Sequence, residues 1–233
     1  MSTMAPELPA ERGESFASDL AGIFSFFIDP AGAAKRVYSK WFWVGPFILM
    51  SVVSLITAYL MIPITQHVLE SMNLPERQME MSIRMQQIVM WFAPIMVAIL
   101  FAVGALVLFA MSSVMSVNAK FRELFNLVAG CSVIQMLAAI AGVLILKAKG
   151  DVSSMAELRP ALGLDIFLPE GTNRVLMAFL GYFSVFEIWW IVMMVLIFSK
   201  AFRVSKGKAF AIVLPLILLN LVFRVGGAAF QPR

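Results

Sequence analysis

The chain is 233 residues long, 61% hydrophobic and only 14% charged, with a formal charge of +4. A soluble domain is about 45–50% apolar and about 25% charged, so a water-solvated fold cannot hide this much apolar surface; an all-α membrane helix bundle can, because lipid solvates its outer faces. The lysines and arginines stand in short segments between apolar runs rather than in one basic stripe, which points to anionic lipid headgroups and away from nucleic acid.

Residues 1–15 carry prolines and charges with almost no large apolar side chains, too little to repay the entropy of ordering, and read as a disordered tail. No signal-peptide pattern is expected at this acidic, polar start. The 16–40 segment reads as interfacial amphipathic helices. Phe16, Leu20, Ile23, Phe24 and Phe27 recur at helical spacing over about three turns, too short to cross about 30 Å of hydrocarbon. Asp29-Pro30 then opens a short helix carrying Lys35, Arg36 and Lys40, with the aspartate as N-cap.

From 41 to 230 the pattern predicts five transmembrane helices. The first covers 41–63, with Trp41 and Trp43 at headgroup level. A polar connection over 64–87 holds a helix that begins at Pro75, presents Met79, Ile83 and Gln86 on one side, and runs toward a second span at 88–112 kinked at Pro94. Further spans follow at 124–146, 175–199 and 209–228, the last interrupted by Arg224. The 147–174 connection, rich in charges and holding Pro160 and Pro169, reads as an irregular solvated loop.

Short basic loops set orientation. Lys35, Arg36 and Lys40 lie in one, Lys120 and Arg122 in a second, and Lys200, Arg203, Lys206 and Lys208 in a third. With five spans all three fall on one side, which predicts a cytoplasmic N-terminus and an outside C-terminus. Lys35, Arg36, Lys200, Arg203, Lys206 and Lys208 are thereby topology determinants that also touch lipid headgroups.

No zinc, phosphate-loop, dinucleotide or nucleophile-elbow pattern is present, and no catalytic, cofactor-binding or metal-binding residue is assigned. His67 is the single histidine and reads as interfacial; the single cysteine, Cys131, and the 17 methionines read as packing. The sharp polar signal is Glu187, in the middle of the fourth predicted span, where an unpaired acid costs on the order of 2.5–3.5 kcal/mol. Gln135 in the third span and Asn220 in the fifth stand at similar depth, so the three are expected to form an intramembrane polar cluster. Two readings stay open: interhelical glue, or a proton or cation site.

Two stretches resemble a known family. IFSFFIDPAGAAKRV followed by KWFWVGPFILMSVVSL is similar to the opening of bacterial Yip1-domain proteins. VFEIWWIVMMVLIFSKAFRVSKGKAFAIVLPLIL resembles that family's Phe-x-x-Trp helix, basic turn and final helix, with Phe186 and Trp189 at the Phe and Trp positions and Ser205, Lys206, Lys208 and Ala209 at the turn. NAKFRELFNLVAGCSVIQML looks like its third-helix start, although Asn118 and Ala119 stand where glycine is common. The resemblance implies a five-helix domain in a bacterial inner membrane. Eukaryotic relatives carry an Asp-Leu-Tyr-Gly-Pro motif linked to Rab GTPases and trafficking. Here Asp19-Leu20-Ala21-Gly22-Ile23 lacks the tyrosine and the proline, so no Rab binding is inferred.

The leading expectation is a non-enzymatic scaffold or accessory subunit, acting with membrane lipids and with other membrane proteins or copies of itself. A small transporter or channel built around Glu187 is the alternative, and an intramembrane enzyme comes third.

Overall fold

In the computed structural model, residues 22–72, 75–150, 152, 157–158, 160–169 and 172–229 are described. The expected tail over 1–15, and Phe16 and Leu20 of the amphipathic segment, lie outside them. Among the described residues there are α-helices and one 3-10 turn, and no strand. Two short helices come first, α1 (Ser25–Ile28) and α2 (Pro30–Arg36), followed by α3 (Val44–Ser71), α4 (Glu76–Trp91), α5 (Ala93–Val114) and α6 (Phe121–Lys149). The 3-10 turn Leu164–Phe167 precedes α7 (Arg174–Tyr182), α8 (Val185–Ala201) and α9 (Lys206–Ala229). Four of these helices, α3, α5, α6 and α9, are long and apolar enough to cross a membrane. The pair α7 and α8 passes the same test together, bent by 46° at the break between them. By length and composition the described residues thus hold four helices able to cross a membrane, or five where the bent pair counts as one span.

Three boundaries differ from the sequence reading. Pro63 sits inside α3, which continues to Ser71; a proline removes one backbone donor, a defect that membrane helices tolerate. At 28 residues α3 is about 42 Å long, well beyond the hydrocarbon thickness, and its last turns pair with α4. Between α4 and α5 the helix breaks at Phe92 rather than kinking at Pro94, which takes a place in the first turn of α5, where its missing N–H costs nothing. The fourth span expected from sequence is interrupted at Phe183 and Ser184.

The described part of the 16–40 segment holds two short helices, with the second opening at Asp29-Pro30. Asp29 caps α2 as expected, its carboxylate accepting from Ala31 N at 3.0 Å. Phe24, grouped with Ile23 by periodicity, points outward, while Ile23 and Phe26 are buried. The Phe26 ring stacks on Phe42 with centroids 5.0 Å apart and lies directly over Gly130 of α6, where no side chain larger than hydrogen fits. Trp189 of α8 donates its indole N–H to Phe27 O at 2.9 Å, satisfying a carbonyl that the short α1 leaves free. Asn126 of α6 does the same for the chain that follows: its amide donates to Val37 O at 3.0 Å and Ser39 O at 2.6 Å, and its carbonyl oxygen accepts from Trp43 N at 3.1 Å. The N-terminal segment is thus wedged between α6 and α8.

One large apolar cluster runs through α5, α6, α8 and α9 and takes in Phe26 and Phe42. A smaller one joins Val68 of α3, Leu146 of α6 and Val152. The described residues of the 147–174 connection fold back onto the bundle. Pro160 sits over Gly142, Gly163 lies against the Gly181 backbone, and Lys149 pairs with Glu157 at 2.9 Å.

Candidate polar site at a broken transmembrane helix

The break between α7 and α8 builds the site. Phe183 and Ser184 leave helical geometry, and the Ser184 hydroxyl accepts from Glu187 N at 3.1 Å, capping α8. Glu187 therefore lies in the first turn of a helix, beside its free N–H groups, where a negative group is favoured. Sequence depth alone places it in mid-span; the structure adds that mid-span is here a helix start. Glu187 is buried, and Gln135 from α6 donates its amide N–H to Glu187 Oε2 at 2.7 Å. The other carboxylate oxygen, Oε1, is buried without a hydrogen-bond partner.

Gln135 and Glu187, two of the three residues expected to cluster, therefore meet. Asn220 does not join them: it is exposed on α9, and its place beside Glu187 is taken by others. Tyr182, at the end of α7, faces Glu187 and donates its hydroxyl to Ile217 O of α9 at 3.1 Å. Arg224, one turn beyond Asn220, supplies a positive charge on the Glu187 side. A methyl group at Gly181 would stand 2.9 Å from Asp165 Oδ2 and 3.5 Å from Arg224 Nη2, so this glycine leaves room for both charged groups over α7. The Asp165 carboxylate is held by Gly163 N at 2.9 Å. Four helices and one loop thus bring Gln135, Tyr182, Glu187, Arg224 and Asp165 into one polar neighbourhood. Arg224 was visible in the sequence as a charge interrupting an apolar run. Tyr182 and Asp165 carried no such signal, because a tyrosine is an ordinary member of an apolar span and Asp165 is one of many charges in the 147–174 connection.

Several other basic residues gather where α2 meets the α8–α9 turn. Lys35 of α2 and Lys200 and Arg203 of the α8–α9 turn line one open cleft with Tyr38 and Asn118. The Tyr38 hydroxyl donates to Ala201 O and ties the two walls together. Burial of this hydroxyl raises its pKa above the ordinary tyrosine value, the negative charge of Glu123 adds to that, and Arg203 opposes it. Arg36 turns away from the cleft, its side chain lying over Gly22. Lys206 and Lys208 stand in the first turn of α9, outside the cleft lining, where the Ser205 hydroxyl accepts from Lys208 N at 3.2 Å. Among the described residues, no three His, Cys, Asp or Glu side chains group as metal ligands.

Comparison with curated proteins and with solved structures gives no match. The Yip1 domain matches residues 24–226, from the N-terminal wedge through the long apolar helices and the polar site to the last turns of α9, and the chain belongs to the Yip1 domain family.

Proposed function

We propose that this multi-pass membrane protein is a non-enzymatic scaffold or accessory subunit that docks another integral membrane protein through α4 and the adjoining end of α3. The observation that carries this is α4 itself, a 16-residue helix that contributes no buried residue. It rests on α3 by the side holding Met79, Ile83, Gln86 and Met90, with Gln86 Nε2 donating to Thr65 Oγ1 at 3.5 Å. Away from that contact it exposes an apolar stripe of Met81, Met85, Ile88 and Val89 alongside a charged stripe of Glu76, Arg77, Glu80 and Arg84. Ordering such a helix costs conformational entropy that its own fold returns only in part, and a partner with an apolar ridge and mixed charge would return the rest. Few residues of α3 are fully buried either, Gly45, Pro46, Ser51, Val68 and Leu69. Crosslinking and mass spectrometry of native membranes, followed by purification in mild detergent, test the reading. A stoichiometric membrane partner crosslinked to 76–91 and lost in Met81→Glu/Met85→Glu is expected; a solitary protein with no crosslink to this helix refutes it.

A second reading, a small transporter or channel, is favoured by one observation: Glu187 Oε1 is buried and unpartnered at a helix break, the arrangement from which midplane ion sites are built. Proton or cation flux through the pure protein in liposomes, abolished by Glu187→Gln, supports it. Liposomes that stay tight remove it.

The orientation belongs to the proposal too. The three basic segments lie at one end of the bundle, and by the loop-charge rule that end faces the cytoplasm of a bacterial inner membrane. A cysteine placed in 147–174 is then labelled from outside; labelling only from the cytoplasmic side overturns the assignment.

A further inference from the structure

We propose that the open cleft between α2 and the α8–α9 turn is a binding site for a phosphate group, supplied by the headgroup of an anionic phospholipid. Its volume is about 610 Å³, and its lining holds three cationic side chains, Lys35, Lys200 and Arg203, with the Tyr38 hydroxyl and the Asn118 amide and no acidic residue. The cations come from distant parts of the chain, so their convergence is a product of folding rather than of a local basic run. Gathered side by side without a counter-charge they repel one another, and an anion between them removes that repulsion while accepting charge-assisted hydrogen bonds.

The cleft is also built in advance. Tyr38 ties the walls together through Ala201 O, its ring packs edge-on against Phe202 with centroids 6.3 Å apart, and Asn126 pins the chain on either side of it at Val37 and Ser39. Arg203 adopts a φ of 52°, a left-handed conformation that costs a non-glycine residue energy. Val204 N donating to Ser199 O at 3.1 Å and the Ser199 hydroxyl donating to Val204 O at 2.7 Å hold the turn in that shape. The strained residue is the one whose guanidinium lines the cleft, and a guanidinium matches two phosphate oxygens at once. Glu123, the acid whose charge acts on Tyr38, has its carboxylate accepting from Lys120 N at 3.0 Å. Exposed Trp41 with Lys40 over its ring lies on the chain just beyond Tyr38, a pairing suited to headgroup level, and this favours a lipid over a soluble phosphate as the source.

The test uses the full chain, delipidated in neutral detergent, with melting followed by intrinsic tryptophan fluorescence while phosphatidylglycerol, phosphatidylcholine or inorganic phosphate is titrated in. Saturable stabilisation by phosphatidylglycerol alone is expected. Lys200→Gln/Arg203→Gln weakens it at least tenfold, whereas Lys120→Gln/Arg122→Gln, an equal charge change at the same end outside the cleft, leaves it intact. If the turn variant does not fold, Lys35→Gln, on the other wall, makes the same comparison and is expected to weaken binding severalfold. Equal saturation by inorganic phosphate overturns the lipid as the source. Equal weakening by the two double variants, or stabilisation by phosphatidylcholine to the same degree, overturns the site.

Discussion

Replacing Gly130 by alanine puts a methyl carbon 2.2 Å from Phe26 Cε1 and 2.5 Å from Cδ1 and Cζ. Ordinary carbon contacts begin near 3.4 Å, so the ring must withdraw by about 1 Å or more, and it is fully buried with Phe42 stacked on it at an interplanar angle of 15°. Overpacking of this kind costs about 1–3 kcal/mol. Alanine returns about 1 kcal/mol through its better helix propensity, so the net expectation is a loss of up to about 2 kcal/mol. Should Phe26 leave its site altogether, the loss is bounded by the about 3–5 kcal/mol of a buried Phe→Ala change. The sole cysteine offers the assay. Cys131 is fully buried next to Gly130, and a fluorogenic maleimide reports its exposure during a thermal ramp in detergent. Gly130→Ala is expected to melt several degrees below the parent and to react faster at Cys131 before melting. Gly226→Ala and Gly227→Ala, where an added methyl meets nothing within 4 Å, are expected to melt at or above the parent. A Gly130→Ala protein that behaves like those two controls refutes the seating of Phe26.

Asn126→Ala removes three hydrogen bonds to the backbone of the wedge and leaves the buried Val37 carbonyl unpaired, a loss of about 1–3 kcal/mol that faster trypsin cleavage after Lys35, Arg36 or Lys40 would reveal. At the polar site, Gln135→Leu removes the 2.7 Å amide hydrogen bond from the Glu187 carboxylate and is expected to lower stability by about 1.5–3 kcal/mol, whereas Glu187→Gln keeps an acceptor for Gln135 without a buried charge and stays within about 1 kcal/mol of the parent. Unfolding in mixed micelles measures both, and equal losses in the two variants would contradict the pairing. Ser184→Ala deletes the α8 cap and is expected to cost about 1 kcal/mol in the same measurement. Gly163→Ala brings a methyl to 2.8 Å from the Gly181 carbonyl oxygen, a backbone atom with little freedom to move, and is expected to loosen the loop that carries Asp165, seen as faster amide exchange over 160–169.

The sequence by itself determined which parts of the chain belong in the membrane. Runs of apolar residues long enough to cross it, broken by short basic segments, are a one-dimensional property, and the crossings appear near the expected bounds with the basic segments at one end. Glu187 and Gln135 were legible for the same reason: a polar side chain inside an apolar run must find another. Facing was not legible. In a soluble helix the polar side marks the outside, but lipid and protein interior are equally apolar, so Phe24 and Phe26 look alike in sequence, although the first is 71% exposed and the second 0%. What separates them is the bare backbone of Gly130 on a helix far along the chain. Likewise Asn220 and Arg224 stand one turn apart on α9, and it is the charge of Arg224 that acts on Glu187. Tertiary structure made these choices through shape, because the hydrophobic effect, which sorts residues by polarity, has almost nothing to sort within a bundle surrounded by hydrocarbon.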